Sequence, residues 1–252
     1  MMLFRTCFIF ASLSFTALIY ANNEYDAIEF RELNLSLIAA ARDGDIDSVK
    51  QRLAVGASIK ARNRFGNTAL ISATRAGSLD IVKLLIEKGA SVDMVNTNAE
   101  TALMNAASRG HEDILRYLID NGADISKLSV KNISALMEAV FARHESIVKI
   151  LLKLYADVSI KDYSGKTALN YASANGDVEI IKLLVKHGAD INRQTKNDLT
   201  SLMWAVGYGK TEAVKTLLKL GADPKIRDNR GLTALMIAEE NNFSEITKLL
   251  QP

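Results

Sequence analysis

A hydroxyl residue, a small residue and a leucine return together every 33 residues: Thr68-Ala69-Leu70, Thr101-Ala102-Leu103, Ser134-Ala135-Leu136, Thr167-Ala168-Leu169, Thr200-Ser201-Leu202 and Thr233-Ala234-Leu235. A second marker keeps the same step, at Gly56-Ala57-Ser58, Gly89-Ala90-Ser91, Gly122-Ala123-Asp124, Tyr155-Ala156-Asp157, Gly188-Ala189-Asp190 and Gly221-Ala222-Asp223. No insertion or deletion separates the copies. Such a period restricts a chain to architectures in which one supersecondary unit stacks on the next. Extending the phase backwards reaches Leu35-Ser36-Leu37, a degenerate opening copy. Thr16-Ala17-Leu18 spells the same word but lies 52 residues before Thr68, out of phase.

One unit shows what is being stacked. In the copy that begins at Gly165, Thr167 is placed to cap a short helix, its hydroxyl accepting from a first-turn amide. Leu169, Ala172 and Ser173 face inward, and their small size lets neighbouring helices approach. Gly176 ends that helix in a left-handed conformation, and Asp177 opens the next. Ile180, Ile181, Leu183, Leu184 and Val185 then form an apolar surface too wide for one unit to bury, which makes stacking obligatory. Two prolines and 6% aromatics in 252 residues leave little strand vocabulary, so the expected fold is all-α. The turn before each unit needs a residue tolerant of positive φ, and the series Gly66, Ala99, Asn132, Gly165, Asp198, Gly231 satisfies this except at Ala99, where an altered turn is expected. Arg143 and Tyr155 replace both helix-ending glycines of one unit, marking residues 141–157 as a local weak point.

These markers resemble the ankyrin family, whose core pattern is T-P-L-H-x-A followed by a second helix and G-A-D. The resemblance spans residues 33–252. It departs consistently: Ala or Ser stands for the family's proline, and Ile71, Met104, Met137, Asn170, Met203 and Met236 for its histidine, the methionines reading as core filler. The implied architecture is an ankyrin-repeat solenoid of helix–turn–helix units joined by β-hairpin-like turns. An N-capping repeat covers 33–62, full repeats cover 63–95, 96–128, 129–161, 162–194 and 195–227, and a C-capping repeat covers 228–252.

In ankyrin-like proteins the hairpin tips and the exposed side of the first helix form a concave surface for a protein partner. Phase maps that surface here onto Arg64, Phe65, Asn67, Asn98, Lys131, Ile133, Tyr163, Lys166, Lys196, Leu199 and Arg230 at the tips. Arg75, Arg109, Phe141, Trp204 and Tyr208 join them from the first helices. Aromatics and arginine dominate interface energetics, and repeats three to five carry them most densely. For Trp204 and Tyr171 the alternative is that the rings cover the neighbouring repeat.

Other functions find little support. The 31 Lys and Arg against 29 Asp and Glu lack the basic surplus that phosphate neutralisation requires, so no nucleic-acid partner is expected. The one cysteine, Cys7, lies in an apolar N-terminal stretch. No phosphate loop, H-E-x-x-H or G-x-S-x-G occurs, so neither catalysis nor a cofactor is expected. His111 and His144 recur 33 residues apart, but they read as residues that open second helices, not as metal ligands. Residues 1–21 carry Arg5, an uncharged run from Thr6 to Tyr20 and Ala21 at its exit, the make-up of a secretory signal peptide. Cleavage after Ala21 would leave residues 22–32 as a linker. The expectation is a non-enzymatic, monomeric, bacterial-type binding module, exported to the periplasm or secreted, a narrower form being the effector of an intracellular bacterium. The alternative is a scaffold tethered to the membrane by an uncleaved N-terminus.

Overall fold

The structure, a computed structural model, describes residues 27–251, so the expected signal peptide and residues 22–26 of the linker lie outside the described residues. The described residues divide into two compact units, with the boundary between Ala90 and Ser91.

In the first unit, helix α1 covers 27–43. It is followed by α2 (Ile46–Ala54), α3 (Ala69–Ala76) and α4 (Leu79–Glu87). Residues 27–32, expected to be linker, continue α1. Leu37, Ala41, Val49, Ile71, Ile81 and Leu85 form the core. The Asn34 side chain accepts a 2.7 Å hydrogen bond from the Ser58 amide, tying α1 to the segment after α2.

The second unit repeats one theme five times. First helices α5 (Ala102–Arg109), α7 (Ala135–Phe141), α9 (Ala168–Asn175), α11 (Ser201–Gly207) and α13 (Ala234–Glu240) form an inner layer. Second helices α6 (Glu112–Asp120), α8 (Glu145–Lys153), α10 (Val178–Lys186), α12 (Thr211–Lys219) and α14 (Ser244–Leu250) form an outer one. Each helix packs on its own pair and on its counterpart in the next repeat. Leu103, Leu136, Leu169 and Leu202 of the repeating triplet are buried in the inner layer. Met104, Met137 and Met203 are buried beside them, but Met236, on the final inner helix, is 38% exposed and is no core filler.

The helix caps follow the sequence with one change. Thr68, Thr101, Ser134, Thr200 and Thr233 accept from the amide three residues on, as an N-cap should. Thr167 instead donates its hydroxyl to Asn170 Oδ1, which also accepts from the Thr167 amide. Asn170 stands where other repeats carry Met or Ile, and its carbonyl competes for the hydroxyl.

The left-handed positions hold regardless of residue type. Gly66, Ala99, Asn132, Gly165, Asp198 and Gly231 all have φ between 57° and 81°. Ala99 therefore keeps the common turn, contrary to expectation. The Asn96 side chain accepts from the amides of Asn98 and Glu100, and the Ala99 amide donates to the Asn96 carbonyl. These bonds offset the roughly 1 kcal/mol strain of a left-handed alanine. Arg143 (φ 66°) and Tyr155 (φ 59°) also keep the backbone of the glycines they replace. The α8 helix between them buries Ile147, Val148, Ile150, Leu151 and Leu152, whereas α10 buries only Ile180, Ile181 and Leu184. That extra apolar burial opposes the strain at the expected weak point.

Candidate partner-binding face

The tips are built by a side-chain oxygen at one repeat position. Asn63, Asn96, Asp162 and Asp228 each accept from the amides two and four residues on, closing the turn from within. Ser129 accepts from the Ile133 amide. Thr195 occupies the same position, but its hydroxyl is buried without a hydrogen-bond partner.

Within the second unit, backbone hydrogen bonds join successive tips into a row. The Val130 amide donates to the Asn98 carbonyl, Tyr163 to Lys131, Lys196 to Ser164 and Asn229 to Asn197, at 2.8–3.3 Å. Asn98, Lys131, Tyr163, Lys196 and Arg230 are exposed along this row, while Ile133, Lys166 and Leu199 are half-buried. Arg230 is committed in part to the buried carboxylate of Asp228, with its Nη2 2.7 Å from Oδ2.

The inner helices present aromatic rings beside that row. Phe141 and Tyr208 are 63% and 59% exposed, and Tyr163 at its tip is 68% exposed. Phe141 meets Tyr171 of the next repeat edge-on, with ring centroids 5.7 Å apart. Trp204 stacks against Tyr208 at 6.1 Å. The Lys166 ammonium lies 4.4 Å from the Trp204 centroid and 5.5 Å from that of Tyr171, close enough for a cation–π interaction with each. Tyr171 and Trp204 therefore do both things considered for them: each packs across a repeat boundary, and each stays half-exposed on the face. The Trp204 Nε1 is buried with no hydrogen-bond partner. Arg109 is exposed at the end of α5.

Acidic groups lie deeper. The Tyr171 hydroxyl donates to Asp162 Oδ2, and both burial and that carboxylate push its pKa well above the usual phenol range. Burial alone would raise the Asp162 carboxyl. Hydrogen bonds from Tyr171, Ser164 and the tip amides outweigh it and hold Asp162 below its ordinary value. Glu138 is pushed up by burial, with a Ser108 hydrogen bond opposing and the charge of Glu100 adding to the rise.

In the first unit Arg64, Phe65 and Arg75 are exposed, and the Arg64 guanidinium carbon sits 4.6 Å from the Phe65 centroid. Asn67 is 9% exposed, and its backbone amide donates to Asn63 while its carbonyl accepts from the Asn63 amide. Asn67 closes the turn from beneath and drops out of the contact set.

Phase placed Lys166 on the face but did not show which side chains pair there. Asp162 and Lys166 hold Tyr171 and Trp204 in place, and Asn175 donates to the carbonyls of Val140 and Phe141 at the end of α7. The signal was in the period: Glu138, Tyr171 and Trp204 are 33 apart, as are Phe141, Ala174 and Gly207. His111 and His144 stand at the N-cap positions of α6 and α8. Among the described residues no group of three or more His, Cys, Asp or Glu is placed to hold a metal ion.

Residues 37–129 and 126–195 match the family model described as "Ankyrin repeats (3 copies)", and residues 184–238 match that of "Ankyrin repeats (many copies)". Among solved structures, the ankyrin repeat domain of Bcl-3, described as a unique member of the IkappaB protein family, aligns with a TM-score of 0.71. It is 27% identical, over 84% of this chain and 97% of that one. No curated protein matched the sequence. The fold is typical of non-enzymatic interaction scaffolds, and with the family models matching well over half of its residues, the chain belongs to the ankyrin-repeat family.

Proposed function

We propose that the chain is a non-enzymatic protein-binding module that holds a protein partner against the tips and inner helices of residues 91–252. The observation that carries this reading is the exposure of Phe141, Tyr163 and Tyr208 on one face, beside half-exposed Trp204 and Tyr171. Large rings grouped on a rigid surface are what interfaces use as anchors, and truncating such an anchor typically costs about 2 kcal/mol or more of binding. The test is affinity capture from the native cell with the wild type and with Phe141→Ala/Tyr163→Ala/Tyr208→Ala. A partner retained by the wild type and lost by the variant, at an unchanged thermal melt, supports the face. Equal retention by a folded variant overturns it.

The module is proposed to work after export, in the periplasm or as a secreted effector of an intracellular bacterium. The support is the charge and hydropathy pattern of residues 1–21. Among the described residues no helix is long and apolar enough to cross a membrane. N-terminal sequencing of the mature protein decides between export and tethering. A start at Asn22 fits export, and a start at Met1 in the membrane fraction replaces it with the tethered scaffold.

A further inference from the structure

We infer that the partner segment is acidic and extended, and carries one large apolar side chain that seats over Ala174 and Gly207. This rests on the binding face proposed above and adds the chemistry of its occupant. Phe141, Ala174 and Gly207 take the same repeat position on three successive inner helices, so a large ring is followed by two residues with almost no side chain. A Cβ added at Gly207 would meet nothing within 4 Å. The row is therefore low at Ala174 and Gly207, between the Phe141 ring and the exposed Glu240 at the next repeat position, with Tyr171 and Trp204 three residues earlier on the same two helices. Apolar rings half-desolvated beside a low, open stretch gain most from a partner side chain that fills it.

Charge selects the rest of the occupant. Lys131, Lys166 and Lys196 come from three successive tips joined by the backbone bonds of the tip row, and none makes a salt bridge among the described residues. The Lys166 ammonium rests on aromatic rings with no carboxylate paired to it. Most nearby acids are engaged elsewhere: Asp162 with Tyr171 and its own tip, Glu100 with Asn96, Glu138 with Ser108, and Asp228 with Arg230. Asp198, at the edge of this lysine row, and Glu240, at the repeat position after Gly207, are exposed acids. Three tip lysines without an ion-pair partner, beside acids that are mostly engaged with their own repeats, favour carboxylates from the partner.

A random-peptide library displayed on phage, selected against the full chain, tests this directly. Binding of the enriched peptides is then followed by the emission of Trp204, the only tryptophan in the sequence. The expected result is enrichment of Asp and Glu around a Leu, Phe or other large apolar residue. Lys131→Glu/Lys196→Glu should weaken those peptides by about tenfold or more, and added salt should weaken them for the wild type. Gly207→Phe, which fills the open space over Gly207 on a helical backbone, should abolish binding without lowering the melt. Neutral or basic winners that are lost in Phe141→Ala/Tyr208→Ala but indifferent to the lysine reversal overturn the acidic occupant and leave the binding face standing. Winners indifferent to both sets of substitutions, or no enrichment at all, overturn the face and the occupant together.

Discussion

Arg143 and Tyr155 hold the same left-handed backbone under different circumstances. Tyr155 is 94% exposed, and at its counterparts Gly122, Gly188 and Gly221 an added Cβ meets nothing, so its own side chain supplies no contact that offsets its strain. Tyr155→Gly should therefore stabilise the fold by about 1 kcal/mol, reduced somewhat by glycine's greater freedom in the unfolded chain. A higher urea midpoint at an unchanged m-value is the measurement, and an unchanged or lower midpoint contradicts it. Arg143 differs because of what stands above it. At Gly110, Gly176 and Gly209 an added Cβ would press on His144, Lys210 and Phe243, each from the next repeat. Above Arg143 stands Asp177, shorter and opposite in charge, and the guanidinium Nε donates to its carboxylate at 2.7 Å. The Asp177 side chain is 10% exposed and its second oxygen has no partner, so losing Arg143 leaves a largely buried carboxylate poorly satisfied. A charge-assisted hydrogen bond of about 1.5–3 kcal/mol, discounted for the solvent around Arg143, still exceeds the strain. Arg143→Gly should destabilise by about 1 kcal/mol, and adding Asp177→Ala should restore most of it. If Arg143→Gly stabilises as Tyr155→Gly does, the pair contributes nothing.

The helices and their caps could be read from the 33-residue period because each depends on residues within its own repeat. The tips were read less well. Asn, Asn, Ser, Asp, Thr and Asp at positions 63, 96, 129, 162, 195 and 228 look like ordinary loop variation, yet all carry a side-chain oxygen one or two bonds beyond Cβ, and at every one but Thr195 it closes the turn from inside. Asp162→Asn should keep that acceptor, as Asn63 and Asn96 do, while removing the charge. Because the folded carboxyl titrates below its ordinary 3.8, Asp162 stabilises the fold fully above that pH, and the contribution is lost as the pH falls through the lower folded value. The stability difference between wild type and Asp162→Asn should therefore be constant at neutral pH and shrink in acid below 3.8. Urea midpoints across that range check it, and a difference that does not change with pH rejects the charge as its source. The α11 helix offers a simpler case. Gly207 is helical, its φ is not positive, and its surroundings are open, so Gly207→Ala should stabilise by about 0.5–1 kcal/mol, read as a higher melting temperature. A lower melting temperature would mean the space over Gly207 is packed in a way the helix geometry does not reveal.

At the scale of the stack, the faces followed from the sequence and the contacts between repeats did not. Phe141, Tyr163 and Tyr208 came out exposed because phase alone fixes which side of a repeat a residue occupies. That Lys166 lies on Trp204, or that Arg143 meets Asp177, depends on pairs of side chains from adjacent repeats, and the pattern of a single unit does not specify them. The same adjacency governs how residues 91–252 lose structure. Each inner helix packs on the ones before and after it, and each outer helix likewise, so a repeat is stabilised by its own pair and by two interfaces, whereas among the described residues the repeat of α13 and α14 has one. Leu169 in α9 and Ile246 in α14 are both fully or almost fully buried, and truncating either to alanine should cost about 2–5 kcal/mol locally. The consequences differ with position. Leu169→Ala weakens a repeat that two others lean on, so amides of α7 and α11 should lose protection along with those of α9. Ile246→Ala weakens a repeat with one interface, so exchange should accelerate in α13 and α14 and remain unchanged from α5 to α9. Hydrogen exchange followed by mass spectrometry on the two variants separates these patterns. An equal loss of protection throughout 91–252 in both would mean that the repeats unfold as a single cooperative block, and the nearest-neighbour account would fail.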